Sequence, residues 1–133
     1  MPRYAALFAI TLFLPAAQAA SLQEHELNRL LEQVARQSSI GTPRAINEDI
    51  LDQGYSVEGK ELINHLSVRQ SHAEQIRNHP QSMREQLAAS VCRNPGYRQL
   101  LARGAVLRYQ FSEYKSNRPV AIERFTEADC DLQ

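Results

Sequence analysis

Three histidines recur every seven residues in the middle of the sequence, at His65, His72 and His79. Imidazole is a common metal ligand, so histidines at a regular spacing could form a metal site. A known type of site would also need cysteines or carboxylates at a fixed spacing, and none completes such a pattern here. We place His65 on a strand and the other two on a helix. We therefore expect three solvated histidines and no bound metal.

Catalytic motifs are missing from the sequence. It contains neither Gly-x-Ser-x-Gly nor a glycine-rich phosphate loop, the motifs that position a serine nucleophile or a phosphate group. Glu48, Asp49 and Asp52 form an acidic cluster, but two carboxylates hydrolyse a glycoside only from opposite sides of a cleft. We therefore predict no catalytic residue and no cofactor. An enzyme with an unfamiliar site is the least favoured alternative.

Four arginines recur every five residues, namely Arg93, Arg98, Arg103 and Arg108. On a helix a step of five residues turns through about 500 degrees, so the first three do not form one stripe. The favoured interpretation is ordinary surface charge, with the aliphatic stems packed on apolar neighbours. The alternative is a weak patch that binds an anion or a partner.

Residues 1–19 follow the order of a secretory signal peptide. Arg3 precedes an apolar run over residues 5–14, and small residues lead up to Ala19, which matches the basic start, apolar middle and cut site of such a signal. A membrane anchor is the alternative, but it needs about 20 apolar residues and this run is shorter. We predict cleavage after Ala19. The product is a single exported domain over residues 20–133, either periplasmic or secreted.

Composition argues against nucleic acid and membrane spans in the exported part. The chain has 15 basic and 15 acidic residues and a formal net charge of +0. It has no basic run that would give an electrostatic footprint for nucleic acid. No stretch after the signal peptide reaches the length that a membrane span requires.

Cys92 and Cys130 are the two cysteines of the sequence. In an oxidising compartment an even pair is most simply a disulfide. This bridge would close a loop of about 39 residues. In the chain-entropy model such a loop closure stabilises the folded protein by roughly 4 kcal/mol. A redox role is disfavoured because the two residues do not form a Cys-x-x-Cys motif. We predict a structural bridge.

The first helix is predicted over residues 21–37. A capping box begins at Ser21, and the stripe that follows recurs at helical spacing. It is interpreted as a core face, with a partner-binding face as the alternative. Its members are Leu27, Leu30, Leu31 and Val34.

Further helices are predicted in the middle of the chain. A second capping box begins at Ser71, and Pro80 interrupts the helix, so two short helices or one kinked helix would fit up to Cys92. Asn94 is followed by a proline, an arrangement that starts a helix, and Gly104 can end it. These signals place a helical segment between two groups of strands.

Two hairpins are predicted from residues that favour strands. β-Branched and aromatic residues flank Gly59 and indicate a hairpin over residues 50–68. Residues 107–111 alternate between apolar and polar, and residues 120–125 follow Pro119, where a strand can begin. The order of helix, hairpin, helices and hairpin indicates an α+β fold. We expect an antiparallel sheet of about four strands packed against helices, with one disulfide.

Residues 55–63, 91–104 and 129–130 resemble a family of small exported pseudomonad proteins described as quorum-sensing-regulated virulence factors. The resemblance covers essentially the whole mature chain. It implies a secreted or periplasmic α+β domain with a disulfide, linked to virulence and host interaction, with no established catalytic residues. One departure is the last hairpin, where Ser116 to Pro119 replace an expected glycine turn.

The leading hypothesis is therefore a non-enzymatic exported protein that acts by contact with a protein partner in the host or the envelope. It depends on the resemblance and on the lack of catalytic motifs. The alternative is a periplasmic accessory or inhibitor domain that binds another envelope protein. Neither hypothesis identifies the partner.

Overall fold

The computed structural model describes residues 16–131, with side chains from residue 19 onward. Most of the predicted signal peptide lies outside these residues, so its cleavage stays a prediction. The elements are, in chain order, α1 (Ala16–Ser38), β1 (Arg44–Ala45), β2 (Ile50–Glu58), β3 (Glu61–Val68), α2 (Gln70–Asn78), α3 (Pro80–Arg93), α4 (Pro95–Ala102), β4 (Val106–Glu113), β5 (Pro119–Phe125) and α5 (Glu127–Asp131).

The strands form one five-stranded sheet in the order β1-β2-β3-β4-β5. Both predicted hairpins are present as antiparallel pairs, β2 with β3 and β4 with β5, and β1 adds a third antiparallel pair at the edge. The two hairpins join through β3 and β4, which run parallel. The α+β prediction is confirmed, whereas the prediction of about four strands in a purely antiparallel sheet is wrong.

The parallel pair follows from the path of the chain between the hairpins. Helices α2, α3 and α4 carry the chain from the end of β3 back to the level where β3 began. As a result β4 starts beside the start of β3, with Leu107 opposite Leu62. A parallel pair requires a crossover of this kind.

The helices pack on one face of the sheet and bury two groups of side chains. The large core lies under α1, α4 and the end of α3, and consists of Leu27, Leu31, Ala35, Leu62, Val91, Cys92, Leu100, Leu101, Ala105, Leu107, Phe125 and Cys130. The small core lies under α2, and consists of Leu66, Val68, Ala73, Ile76 and Phe111.

Local signals set the ends of several helices. The Asn94 side chain accepts a hydrogen bond from the Tyr97 amide at 3.1 Å and caps α4, because the first amides of a helix lack partners within it. Gly104 ends this segment with φ +96. Pro80 opens α3 and separates it from α2, so of the two arrangements that fitted the sequence the chain has two helices rather than one kinked helix. In the last hairpin, Asn117 takes φ +59 in place of the expected glycine.

The outer edge strand β5 is tied to the helices by two arginines. Arg77 of α2 donates to the Pro119 carbonyl at 2.7 Å. Arg84 of α3 donates to the Arg124 carbonyl at 3.1 Å, and its guanidinium lies 4.6 Å from the centre of the Phe125 ring. The other edge strand, β1, spans only two residues.

Candidate functional site

Residues of α1 and α4 line a groove of about 310 Å³. We call it the α1–α4 groove. Its apolar surface comes from Leu30 and Val34 on α1 and from Tyr97 and Leu100 on α4, and the remaining lining residues are Asn94, Gly96, Gln99 and Arg103. Most of these apolar side chains are only partly buried. The groove therefore presents apolar surface that the fold itself does not cover.

The predicted leucine stripe of α1 divides between two environments. Leu27 and Leu31 are 3% and 0% exposed and belong to the large core. Leu30 and Val34 lie beside them, pack against the edge of the core and line the α1–α4 groove. The core interpretation therefore holds for one side of the stripe. Its other side provides apolar surface of the kind that the partner-binding alternative requires.

Tyr97, which lines the α1–α4 groove, contacts Tyr55 of the sheet. The hydroxyls of Tyr55 and Tyr97 lie 3.4 Å apart. Burial, followed by the hydrogen bond to Tyr97, raises the pKa of Tyr55 far above its ordinary value. Burial likewise raises the pKa of the neighbouring Tyr109. Tyr55 and Tyr109 therefore stay neutral at physiological pH.

Bonds between elements hold the walls of the α1–α4 groove in place. The Asn28 amide donates to the Gly59 carbonyl at 2.6 Å, and the Tyr55 amide donates to Ser39 Oγ at 2.8 Å, so α1 is fixed on the first hairpin. The predicted bridge is present, with Cys92 bonded to Cys130. It ties the end of α3, just before α4, to α5. These bonds fix α1, which carries one wall of the groove, on the first hairpin, and they fix α3, which leads into the other wall, on α5.

The sheet separates the four arginines that sequence spacing brought together. Arg93 and Arg98 donate to the carbonyls of Ala89 and Cys92, at 3.0 and 3.3 Å, so both neutralise the end of α3. Arg103 lines the α1–α4 groove.

Arg108 lies on the opposite, helix-free face of the sheet, where it donates to Glu58 at 3.1 Å. It therefore shares no surface with the helical arginines. Arg103 is the member of the predicted set that borders the groove.

The three histidines also occupy different places. On the helix-free face, His65 Nε2 lies 2.6 Å from Ser56 Oγ. Burial, with a smaller effect of Arg108, lowers the pKa of His65 below its ordinary value of 6.5. His72 and His79 lie together in a cleft between α2 and α3. Among residues 16–131, no group of three or more His, Cys, Asp or Glu side chains is arranged to hold a metal.

The acidic cluster does not form a carboxylate pair across a cleft. Asp52 is 4% exposed and accepts hydrogen bonds from the Gly54 amide at 2.9 Å and the Asn64 amide at 3.0 Å. Glu48 and Asp49 line a separate cleft at the end of β2. Asp52 therefore has a structural role, since its oxygens are used to hold β2 and β3 together.

The family of the chain is established by comparison with known proteins. A model of the family described as "Putative quorum-sensing-regulated virulence factor" matches residues 20–131. The chain belongs to this family. The resemblance in the sequence analysis is therefore confirmed over nearly the whole predicted mature domain. No curated protein matches the chain.

One solved structure is close in sequence as well as in fold. It is described as a "putative secreted protein" from Pseudomonas aeruginosa, is 67% identical and has a TM-score of 0.80. The match covers 82% of this chain and 96% of the other. With the family match, it confirms the prediction that the chain is exported. In the described part of the chain, no helix has both the length and the hydrophobicity of a membrane span.

Two further structures share the fold at low identity. A type II secretion pilotin from Vibrio vulnificus is 16% identical with a TM-score of 0.73, and the match covers 85% of this chain and 99% of the pilotin. The type II secretion pilotin AspS from Vibrio cholerae is 18% identical with a TM-score of 0.67, covering 84% and 99%. Neither the family nor these structures are described as enzymes.

The α1–α4 groove itself was not predicted. The available signal was the width of the apolar stripe, since Leu30 and Val34 extend it beyond the side that Leu27 and Leu31 bury. When the apolar stripe of a helix is wider than its contact with the core, the extra width indicates a second apolar contact. The second wall of the groove is provided by α4, which lies far along the chain, so no local pattern indicated that Tyr97 completes the groove.

Proposed function

We propose that this protein is a non-enzymatic, exported binding domain that contacts a protein partner in the host or the envelope through the α1–α4 groove. The observation that carries the proposal is the partly exposed apolar lining of this groove. Family membership and the secreted relative support the setting. Cleavage after Ala19 is part of the same proposal, since it would release the domain from its signal peptide.

The surroundings of the α1–α4 groove favour a protein rather than a small molecule. Leu30 also borders the outer side of α1, where charged residues of both signs alternate: Glu26, Arg29, Glu32 and Arg36. An apolar centre with a charged rim is typical of protein interfaces. A small-molecule site would enclose most of its ligand, whereas this groove is open along α1.

A second candidate is an accessory domain that binds an envelope protein and stays in the periplasm. It is favoured by the shared fold of two pilotins of type II secretion systems. Fractionation of a native culture separates the two candidates. Fully processed protein confined to the periplasm would contradict contact with a host, and protein in the medium would contradict a purely periplasmic role.

Crosslinking tests the α1–α4 groove directly. A photo-crosslinking amino acid is placed at Val34 or Arg103 in the groove and, as a control, at Gln110 on the helix-free face of the sheet. The protein is expressed in the native bacterium with host cells present. We expect the two groove positions to give the same adduct of defined mass. Adducts from Gln110 alone, or no adduct from either groove position, would contradict the proposal.

Two matched charge substitutions sharpen the result. Leu30→Arg places a charge on the groove lining, whereas Ile122→Arg places it on β5, where Ile122 is 47% exposed. A long arginine stem can keep its charged end in water, so both variants are expected to fold. Leu30→Arg should abolish the adduct and Ile122→Arg should leave it unchanged. Equal loss in both variants would assign the contact to another surface.

A further inference from the structure

A second cleft, outside the α1–α4 groove, lies where α2 meets α3. It has a volume of about 360 Å³ and is lined by His72, Gln75, Ile76, His79, Ser82, Met83 and Gln86. We call it the elbow cleft. Two imidazoles and one thioether therefore share a small space whose lining contains no carboxylate.

One nitrogen of a residue that lines the elbow cleft lacks a partner. His72 Nε2 is shielded from solvent and makes no hydrogen bond within the described part of the chain. A buried polar atom without a partner costs about 1–3 kcal/mol, so it calls for an explanation. A metal ion would supply the missing partner, because neutral imidazole nitrogen is a metal ligand.

The other two side chains are placed to complete a set of ligands. His79 stands at the N-cap of α3, yet its side chain makes no capping hydrogen bond. The Met83 amide donates to the His79 carbonyl at 3.4 Å, and both residues line the cleft. His72 lies on α2 and His79 is the residue between α2 and α3, so both imidazoles line the cleft at the break between the two helices.

The chemistry of this set favours one kind of ion. Thioether sulfur selects soft ions such as Cu(I), and imidazole also binds copper. Zinc sites use thiolate, imidazole or carboxylate instead. A cleft lining without carboxylates leaves the charge of a divalent ion uncompensated, which disfavours its burial more than that of a monovalent ion. We propose that the elbow cleft binds monovalent copper through His72, His79 and Met83.

Met83 gives the proposal a specific probe, because it is the only methionine after residue 1. Protein purified after export is labelled with methyl-¹³C methionine and titrated with silver(I), a redox-stable substitute for Cu(I). We expect the Met83 methyl resonance to shift until one equivalent of silver has been added. A resonance that does not move would overturn the proposal.

Competition with bicinchoninate, in the presence of ascorbate and without oxygen, measures Cu(I) affinity. Removal of a residue that only orients a metal ligand lowers metal affinity by about 10- to 100-fold. Because Met83, His72 and His79 are proposed as ligands themselves, Met83→Leu, His72→Gln and His79→Gln should each lower Cu(I) affinity by at least about tenfold. Met83→Leu nearly conserves side-chain volume, so it keeps the fold. Circular dichroism of each variant verifies this.

Two histidines outside the elbow cleft serve as controls. His25 is exposed on α1 and His65 lies on the helix-free face, so His25→Gln and His65→Gln should leave Cu(I) affinity unchanged. Unaltered affinity in Met83→Leu, or equal losses in the control variants, would show adventitious binding and overturn the proposal. Zinc titrated alone should bind no more weakly to Met83→Leu than to the unaltered protein.

Discussion

The two ends of the helical layer are stabilised in different ways. At the end over the large core, Cys92 and Cys130 join α3 to α5 covalently. At the end over the small core, α2 is held to the last hairpin by an ion pair, with Arg77 2.7 Å from Glu113. Leu87 and Tyr109 pack against both cores and connect the two ends. The large-core end therefore has a covalent bond beside its Arg84–Asp129 ion pair, whereas the small-core end depends on an ion pair without a bridge.

The contrast matters for binding because each end carries a different cleft. The α1–α4 groove lies beside the large core, where a rigid surface lowers the entropic cost of binding a protein. The elbow cleft lies beside the small core, between two short helices that meet at a proline. A site that must close around an ion benefits from side chains that can still adjust. The α1–α4 groove thus lies at the end with the disulfide, and the elbow cleft lies at the end without one.

A pair of matched leucines tests the difference between the cores, and it carries the largest expected effect. Leu31 is 0% exposed in the large core and Leu66 is 6% exposed in the small core. Leucine-to-alanine changes in cores cost about 2–5 kcal/mol. We expect Leu31→Ala near the top of that range and Leu66→Ala near the bottom, because the flexible Met83 beside the small core can fill space. Urea denaturation measures both. A larger loss in Leu66→Ala would reverse the comparison.

Removal of the disulfide should have the next largest effect. The cysteines are 38 residues apart in the sequence, and loss of a bridge over such a loop typically costs roughly 2–4 kcal/mol. The variant Cys92→Ala with Cys130→Ala should unfold at lower urea concentration while its partner crosslinks persist at permissive temperature. A fully folded variant that loses those crosslinks would show that the bridge shapes the α1–α4 groove.

Acid should weaken the small-core end by protonating Glu113. The hydrogen bond from Arg77 holds the pKa of Glu113 below its ordinary value of 4.5, although burial opposes this. Below about pH 4.5 the unfolded chain takes up a proton that the folded chain still excludes, so stability falls with pH. The contribution is complete above that value and is lost as the pH passes through the lower, folded pKa.

Glu113→Gln removes this proton uptake. Its urea midpoint should fall less steeply between about pH 5 and 3 than that of the unaltered protein, although its midpoint at neutral pH should be lower. Glu127→Gln is the matched control, because Glu127 is exposed at the start of α5. An unchanged slope for Glu113→Gln would contradict the role assigned to the ion pair.

The smallest expected effect on stability comes from the α1–α4 groove itself. Leu30 is only partly buried, so Leu30→Ala should cost about 1 kcal/mol or less. It should nevertheless weaken the crosslink from Val34, because a residue that remains exposed in the free protein contributes mainly to binding. A loss of stability as large as that of Leu31→Ala would show that Leu30 belongs to the core.

Local signals in the sequence predicted the elements better than their arrangement. The cap at Asn94, the break at Pro80 and the turn at Gly59 each act within a few residues, so their effects can be predicted locally. The parallel pairing of Leu62 with Leu107 depends on the path of three helices. Strand β1 has only two residues, too few to show any alternation.

The same limit applies to the candidate sites. The disulfide could be predicted because the chain has only two cysteines. Leu30 and Val34 were identified as apolar helix residues, but their exposure depends on where α4 packs. His65 was expected on a strand, apart from His72 and His79, and it lies on β3. The position of Met83 beside those two histidines in one cleft was not predicted. Sequence spacing cannot show which side chains distant segments bring together.

The arginines bonded to β5 have a consequence for behaviour at high concentration. A free edge strand offers backbone acceptors on which another chain can add a strand, and natural proteins block this route to aggregation with charged side chains. Here the carbonyls of Pro119 and Arg124 are occupied by Arg77 and Arg84. A second chain would first have to displace both guanidinium groups. The helices that cover the sheet thus also keep neighbouring molecules from extending it.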